Sequence, residues 1–183
     1  RAGEGNFADF YVVFPTLAVG VTDFFMIGGG VSLFPGAESQ LVYFSPKIRL
    51  IHRENFDLAA GMLYMGIPDE GDLGAAYTSF SIGNPLGGFT FGVAVPFASE
   101  DSDLDSPAFL FGAETQVSNS AKFITENWWF TGVDGGLLLV SGGIRFFGER
   151  LSADIGLITS PEAFDDGGFP FLPWVDFAVS FGK

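Results

Sequence analysis

The stretch "GGIRFFGERLSADIGL", residues 142–157, sets Arg145 between Ile144 and Phe146 and Asp154 between Ala153 and Ile155. Each half alternates bulky apolar side chains with small or polar ones, the period of a strand whose two faces meet different surroundings. A two-residue turn at Glu149 and Arg150 pairs Gly148 with Leu151, and counting back along the ladder puts Arg145 directly opposite Asp154. A three-residue turn would set one face against the other, so face parity disfavours it. The stretch reads as an antiparallel hairpin with a charge pair on its less greasy face.

The rest of the chain supports such ribbons and little else. Of 183 residues, 48% are hydrophobic, with 23 Phe and 26 Gly against only 8 Lys plus Arg. The charged share is 16%, below the ordinary share of about 25%, so a water-facing exterior is hard to build from this supply. Gly, Ser, Thr, Pro or a charge interrupts every apolar run before it reaches the length of a transmembrane helix. If a membrane is involved, the spanning element must be a closed β-barrel. The net charge of −14 leaves no basic patch to neutralise phosphates, which argues against a nucleic-acid partner. Without cysteine there is no disulfide or thiol chemistry. Residues 1–183 read as one domain, and a start at Arg1 without a signal peptide suggests a mature or truncated product.

Period-two alternation marks eleven strand-like segments, near 9–22, 24–34, 40–52, 56–67, 73–83, 88–98, 107–118, 121–131, 137–147, 151–159 and 171–182. Short turns at 22–24, 53–56, 83–88, 118–121 and 148–150 alternate with longer or acidic links at 34–40, 67–73, 98–107, 132–136 and 160–170. The links "PDEGD" (68–72), "SEDSDLDS" (99–106) and "PEAFDD" (161–166) each carry three or four carboxylates and read as solvated loops. One end of the barrel is tight and the other looped and negative, as in outer-membrane barrels with short periplasmic turns. Even strand number with both termini at the tight end then predicts a twelfth strand before Arg1, ten strands being the alternative if a segment is miscounted.

In "GFTFGVAVPF" (88–97), Phe89, Phe91, Val93, Val95 and Phe97 share one side and Gly88, Thr90, Gly92, Ala94 and Pro96 the other. Segments 107–118 and 171–182 repeat this division, whereas "AKFITENWWF" (121–130) is ambiguous. A soluble lipocalin-like barrel would turn the bulky side inward, leaving an exterior of Gly, Ala, Ser and Thr with far less Lys and Glu than soluble surfaces carry. A lipid-facing band of Phe, Val, Ile and Leu around a polar lumen is the better fit. Alternation, turn asymmetry and the closing "WVDFAVSFGK" (174–183) together resemble bacterial outer-membrane β-barrel proteins over essentially the whole chain. The resemblance implies an all-β, antiparallel up-and-down transmembrane barrel of about twelve strands in the bacterial outer membrane. It also implies outer-membrane lipid or lipopolysaccharide and the barrel assembly machinery as partners. The chain departs from the pattern by ending Gly182-Lys183 after Phe181. "TENWWF" and "IRFFGERLSADIGL" also look like stretches in uncharacterised barrels of this class and point to no activity.

An ionised side chain facing hydrocarbon costs about 2–4 kcal/mol at the midplane, so the charges inside the strands belong in the lumen. Lys47, Arg49, Glu114, Glu126, Arg145, Asp154 and Asp176 are therefore expected as one interior network, with Arg145 bridging Asp154 and Glu126 and with Lys47 and Arg49 across the bore. Such a network either fills the interior or forms a constriction that filters small solutes.

Other chemistry is poorly supported. His52 beside Arg53 lies at the end opposite to where an outer-membrane Ser-His phospholipase needs its histidine, and it reads as a turn residue. Asp101, Asp103 and Asp105 have a calcium-loop spacing, but Ser106 and Gly112 stand where an EF-hand needs Gly and Glu, leaving at most a weak surface Ca²⁺ or lipopolysaccharide-bridging site. "GGG" (28–30) and "GG" (142–143) lack a phosphate-binding context. Trp128, Trp129 and Trp174 lie near the looped end, where an aromatic girdle belongs. No cofactor, catalytic residue or other metal is indicated. The expected function is a non-enzymatic scaffold or narrow channel with a charge-lined lumen. The alternatives are a transporter or binder of hydrophobic molecules with a side opening near Pro15, Pro46, Pro96 or Pro173, and a barrel subunit of a larger membrane complex.

Overall fold

A computed structural model describes residues 5–10, 14–33, 39–67, 71–99, 106–132, 136–164 and 169–181. Its strands are β1 (Gly5–Phe10), β2 (Phe14–Gly20), β3 (Phe25–Val31), β4 (Val42–Arg53), β5 (Phe56–Ile67) and β6 (Gly71–Asn84). The series continues with β7 (Gly87–Ser99), β8 (Ala108–Ser118), β9 (Ala121–Phe130), β10 (Leu137–Phe147), β11 (Leu151–Thr159) and β12 (Leu172–Phe181). Each pairs antiparallel with its neighbour in sequence, and β1 pairs with β12 from Gly5 opposite Phe181 to Phe10 opposite Asp176, which closes the barrel. Closure leaves no open sheet edge, the condition for strands to cross hydrocarbon.

Twelve is the expected number, but the twelfth strand comes from inside the chain. The segment 9–22 contains the end of one strand and the whole of the next, with Phe10 opposite Phe14 across the reversal. The inference of a strand before Arg1 therefore loses its basis: the ends of β1 and β12 already share the tight-turn end. The sequence concealed this reversal because "DFYVVFP" offers apolar alternation and none of the Gly, Asn or Asp signals of a turn.

The tight turns are held locally. Thr22 Oγ1 accepts hydrogen bonds from the Phe24 and Phe25 amides at 3.3 and 3.0 Å. Asn84 Oδ1 accepts from the Leu86 amide at 2.8 Å, and the Gly148 amide donates to the Leu151 carbonyl at 2.8 Å. At the looped end, Pro161–Phe164 forms a single 3-10 turn before β12.

The packing is the inverse of a water-soluble fold. Among the described residues the buried apolar side chains are only Ala59 and Ala121, whereas Phe89, Val95, Phe97, Ile155 and Phe177 point outward, Phe89 with 70% of its surface exposed. Asp154, by contrast, is 4% exposed. A continuous belt of exposed rings and branched aliphatics is stable only against hydrocarbon or another apolar partner. The lipocalin-like arrangement is thereby ruled out, because the bulky face of each ribbon is on the outside.

Inside the wall, glycines make room for rings. A Cβ on Gly156 would lie 2.7 Å from the Trp174 ring and 2.6 Å from the Gly142 carbonyl, so the indole is seated directly on backbone. Tyr77 covers Gly61 in the same way, with its ring 2.6 Å from where a Cβ would be.

Candidate functional site

Strand parity turns Glu114 of β8, Lys122 and Glu126 of β9, Arg145 of β10, Asp154 of β11 and Asp176 of β12 to the inside of one wall. Arg145 stands opposite Asp154 on one side and Lys122 on the other, Asp154 opposite Asp176, and Lys122 opposite Gln116. Arg145 Nε donates to both carboxylate oxygens of Asp154 at 2.9 and 3.1 Å, and Nη2 donates to Oδ2 at 2.6 Å. This forked, charge-assisted geometry is the strongest that a guanidinium offers a carboxylate. Lys122 Nζ donates to Glu114 Oε1 at 2.5 Å, and Arg145 Nη1 lies 4.0 Å from Glu114 Oε2. The second carboxylate beside Arg145 is thus Glu114 and not Glu126. Register explains the difference: Arg145 faces Lys122, while Glu126 lies four residues further along β9, near Ser141. Glu126 instead accepts a hydrogen bond from Trp128 Nε1 at 2.9 Å.

Lys47 and Arg49 belong to β4, which lies six strands from β10 and so on the facing wall. Lys47 is opposite Gly61 and Arg49 opposite Ala59. Arg49 Nε lies 3.7 Å from Asp57 Oδ1, and His52 Nδ1 lies 2.7 Å from the same oxygen. A bulge at Leu50 between Arg49 and Ile51 returns His52 to the interior face, opposite Asp57. Among the described residues the interior charges therefore form two groups, one on β8–β12 and one on β4–β5, both in the half nearer the tight turns.

The looped half of the interior is different. Tyr43, Tyr77, Leu110, Trp128, Phe130, Ile158 and Trp174 have inward parity there. Trp128 and Phe130 stack with ring centroids 6.1 Å apart and planes at 13°. This corrects the expectation of a three-tryptophan girdle: Trp129 faces out, 44% exposed and stacked on Phe109, whereas Trp128 and Trp174 line the bore. The ambiguous ribbon 121–130 is resolved by its neighbours, with Lys122, Ile124, Glu126 and Trp128 inward.

A cavity of about 960 Å³ occupies the bore. Its wall runs from Glu54, Asn55 and Pro85 at the tight turns, past Asp57, Glu114, Arg145, Asp154 and Asp176, to Glu126, Trp128, Ile158 and Trp174. Beside it the β9–β10 ladder lacks the rungs at 126/141 and 125/142, and side chains supply the bonds. Ser141 Oγ donates to the Glu126 carbonyl at 2.6 Å and accepts from its amide at 3.2 Å, while Thr125 Oγ1 donates to the Ser141 carbonyl at 2.6 Å. Of the prolines, Pro46 interrupts the β4–β5 ladder, which lacks the rungs at 45/63 and 46/62. Pro15, Pro96 and Pro173 sit opposite Asp9, Ala75 and Leu157 within paired strands. The triad Asp101, Asp103 and Asp105 lies outside the described residues, and among those described no cluster of metal-ligating side chains forms.

Sequence reasoning missed Lys122, Asp57 and the inward Trp128. Lys122 was legible in principle, because it shares parity with Glu126, but the flanking Phe123 and Ile124 blur the two faces.

A closed antiparallel barrel with an apolar outer belt and a charged bore is a transmembrane barrel of the bacterial outer-membrane type. No protein-family model and no curated protein matches the sequence. Among solved structures the fold is shared with the KdgM porin in complex with disordered oligogalacturonate, with a TM-score of 0.69 and 5% identity over 98% of each chain. It is also shared with the NanC porin, with a TM-score of 0.67 and 10% identity over 98% of this chain and 99% of that one.

Proposed function

We propose that the protein is a non-enzymatic outer-membrane channel, narrow and charge-lined, through which small solutes pass. The observation that carries this reading is the cavity of about 960 Å³ inside the closed barrel, whose wall includes Glu114, Asp176 and the paired Arg145 and Asp154. Fixed charges at close quarters filter by sign and size, and hydrogen-bonded pairs hold them in place. A lipid hydrolase is the weaker reading, because the single histidine is taken up by Asp57 near the tight turns. The apolar belt fits outer-membrane lipid or lipopolysaccharide, and β12 fits the barrel assembly machinery as the strand that closes the wall against β1.

The test is planar-bilayer recording on the intact protein and on Arg145→Ala. Discrete conductance steps, altered in the variant, are expected; silence in both would remove the channel reading. Binding of a hydrophobic molecule is the second reading, favoured by Leu110, Trp128, Ile158 and Trp174 in the upper cavity wall. An apolar molecule co-purifying with the intact protein and lost from Trp128→Ala would support it, and its absence would remove it.

A further inference from the structure

One structure that shares this fold is the KdgM porin in complex with disordered oligogalacturonate, an anionic ligand. The charges here point to the other sign. Among the described residues the cavity wall carries six carboxylates, from Glu54, Asp57, Glu114, Glu126, Asp154 and Asp176, against one guanidinium, that of Arg145. The remaining interior cations do not redress this. Lys47, Arg49 and Lys122 do not line this cavity, and Arg49 and Lys122 are directed at Asp57 and Glu114. Arg145 itself is held in a fork by Asp154. Glu54 and Glu126 have no ion-pair partner among the described residues. In a low-dielectric wall an uncompensated carboxylate raises the local concentration of cations and lowers that of anions.

The aromatic part of the wall adds a second selection. Trp128 donates its indole N–H to Glu126, so a carboxylate and an indole ring lie side by side in the cavity wall, with Trp174 further round the same wall. A carboxylate beside a π-face binds an ammonium group carrying an apolar body better than a bare metal ion or an anion, because the quadrupole and the carboxylate act together. We infer that the lumen is cation-selective and that its preferred solutes are small organic ammonium ions, held where Glu126 meets Trp128. This inference rests on the channel reading and names its solute.

The experiment is reversal-potential measurement of the intact protein in planar bilayers under a KCl gradient, followed by titration with tetramethylammonium chloride. The expected result is a potassium-over-chloride permeability ratio of several-fold and a saturable reduction of potassium current by tetramethylammonium. Glu126→Gln should bring the permeability ratio towards unity. Trp128→Leu should weaken the tetramethylammonium effect several-fold, while Trp128→Phe, which keeps an aromatic face, retains most of it. Heat-modifiable migration on gels identifies the folded variants that enter the comparison. Chloride preference, absence of preference, or potassium current indifferent to tetramethylammonium each overturns the inference while leaving the channel standing. Absence of any current overturns the channel itself, so the two failures are distinct.

Discussion

Arg145 and Asp154 face each other across the β10–β11 ladder, and three hydrogen bonds of 2.6–3.1 Å join the guanidinium to both carboxylate oxygens. The carboxylate side chain is only 5% exposed, while the arginine, at 38%, also reaches the bore. Removing the arginine would leave a desolvated anion in the wall. Arg145→Met is expected to lose about 3–5 kcal/mol of folding stability, and Arg145→Met with Asp154→Leu much less, since an apolar pair of similar volume is often neutral. Urea unfolding in lipid vesicles measures both, and a loss below 1 kcal/mol for the single variant contradicts the pairing.

Glu114, and not Glu126, shares the Lys122–Arg145 charges. A double-mutant cycle between Lys122→Met and Glu114→Gln should show a coupling of about 1 kcal/mol or more, because a charged hydrogen bond is lost only once. The cycle between Arg145→Met and Glu126→Gln should show less than about 0.5 kcal/mol. Equal couplings would mean that the register-based account of the network is wrong.

Phe91 points outward and Thr90 inward at the same level of β7. Phe91→Arg should cost about 2–4 kcal/mol in a bilayer, whereas Thr90→Arg faces hydrated lumen and should cost about 1 kcal/mol or less. The comparison is unfolding free energy in vesicles of defined thickness. Equal tolerance of the two substitutions would reverse the assignment of inside and outside.

The hydroxyl of Ser141 completes both the amide and the carbonyl of Glu126 where the β9–β10 ladder lacks rungs. Ser141→Ala strands two backbone groups at membrane depth and should cost about 1–3 kcal/mol. Amide exchange at Glu126 should accelerate at the same time. Protection unchanged from the parent protein would show that backbone rungs form there after all.

Gly156→Val sets a branched side chain against the Trp174 indole and the Gly142 carbonyl, both within 2.7 Å of its Cβ. Overpacking of this kind costs about 1–3 kcal/mol, and Trp174→Ala should relieve only the part due to the ring. Folding yield and unfolding midpoint in detergent report it, and a Gly156→Val barrel as stable as the parent would contradict the seating of Trp174 on the backbone.

The sequence alone determined the class of fold, the inside and outside of the ribbons, the alternation of tight and looped ends, and the Arg145–Asp154 register. These follow from short-range rules: side chains alternate with period two, and a two-residue turn fixes every pair of its hairpin. It did not determine where the first ribbon reverses, because "YVV" (11–13) carries no turn residue. Nor could it decide which carboxylate meets Arg145, that His52 meets Asp57 past a bulge, or that Trp128 points inward, although the parity of Trp174 with Asp176 already placed that ring on the lumen face. Those relations depend on a bulge that alternation does not announce, on contacts that reach past one strand from β8 to β10, and on which glycines leave room for a ring. Each is decided by side chains packing together in the closed wall, which period-two alternation and turn length do not specify.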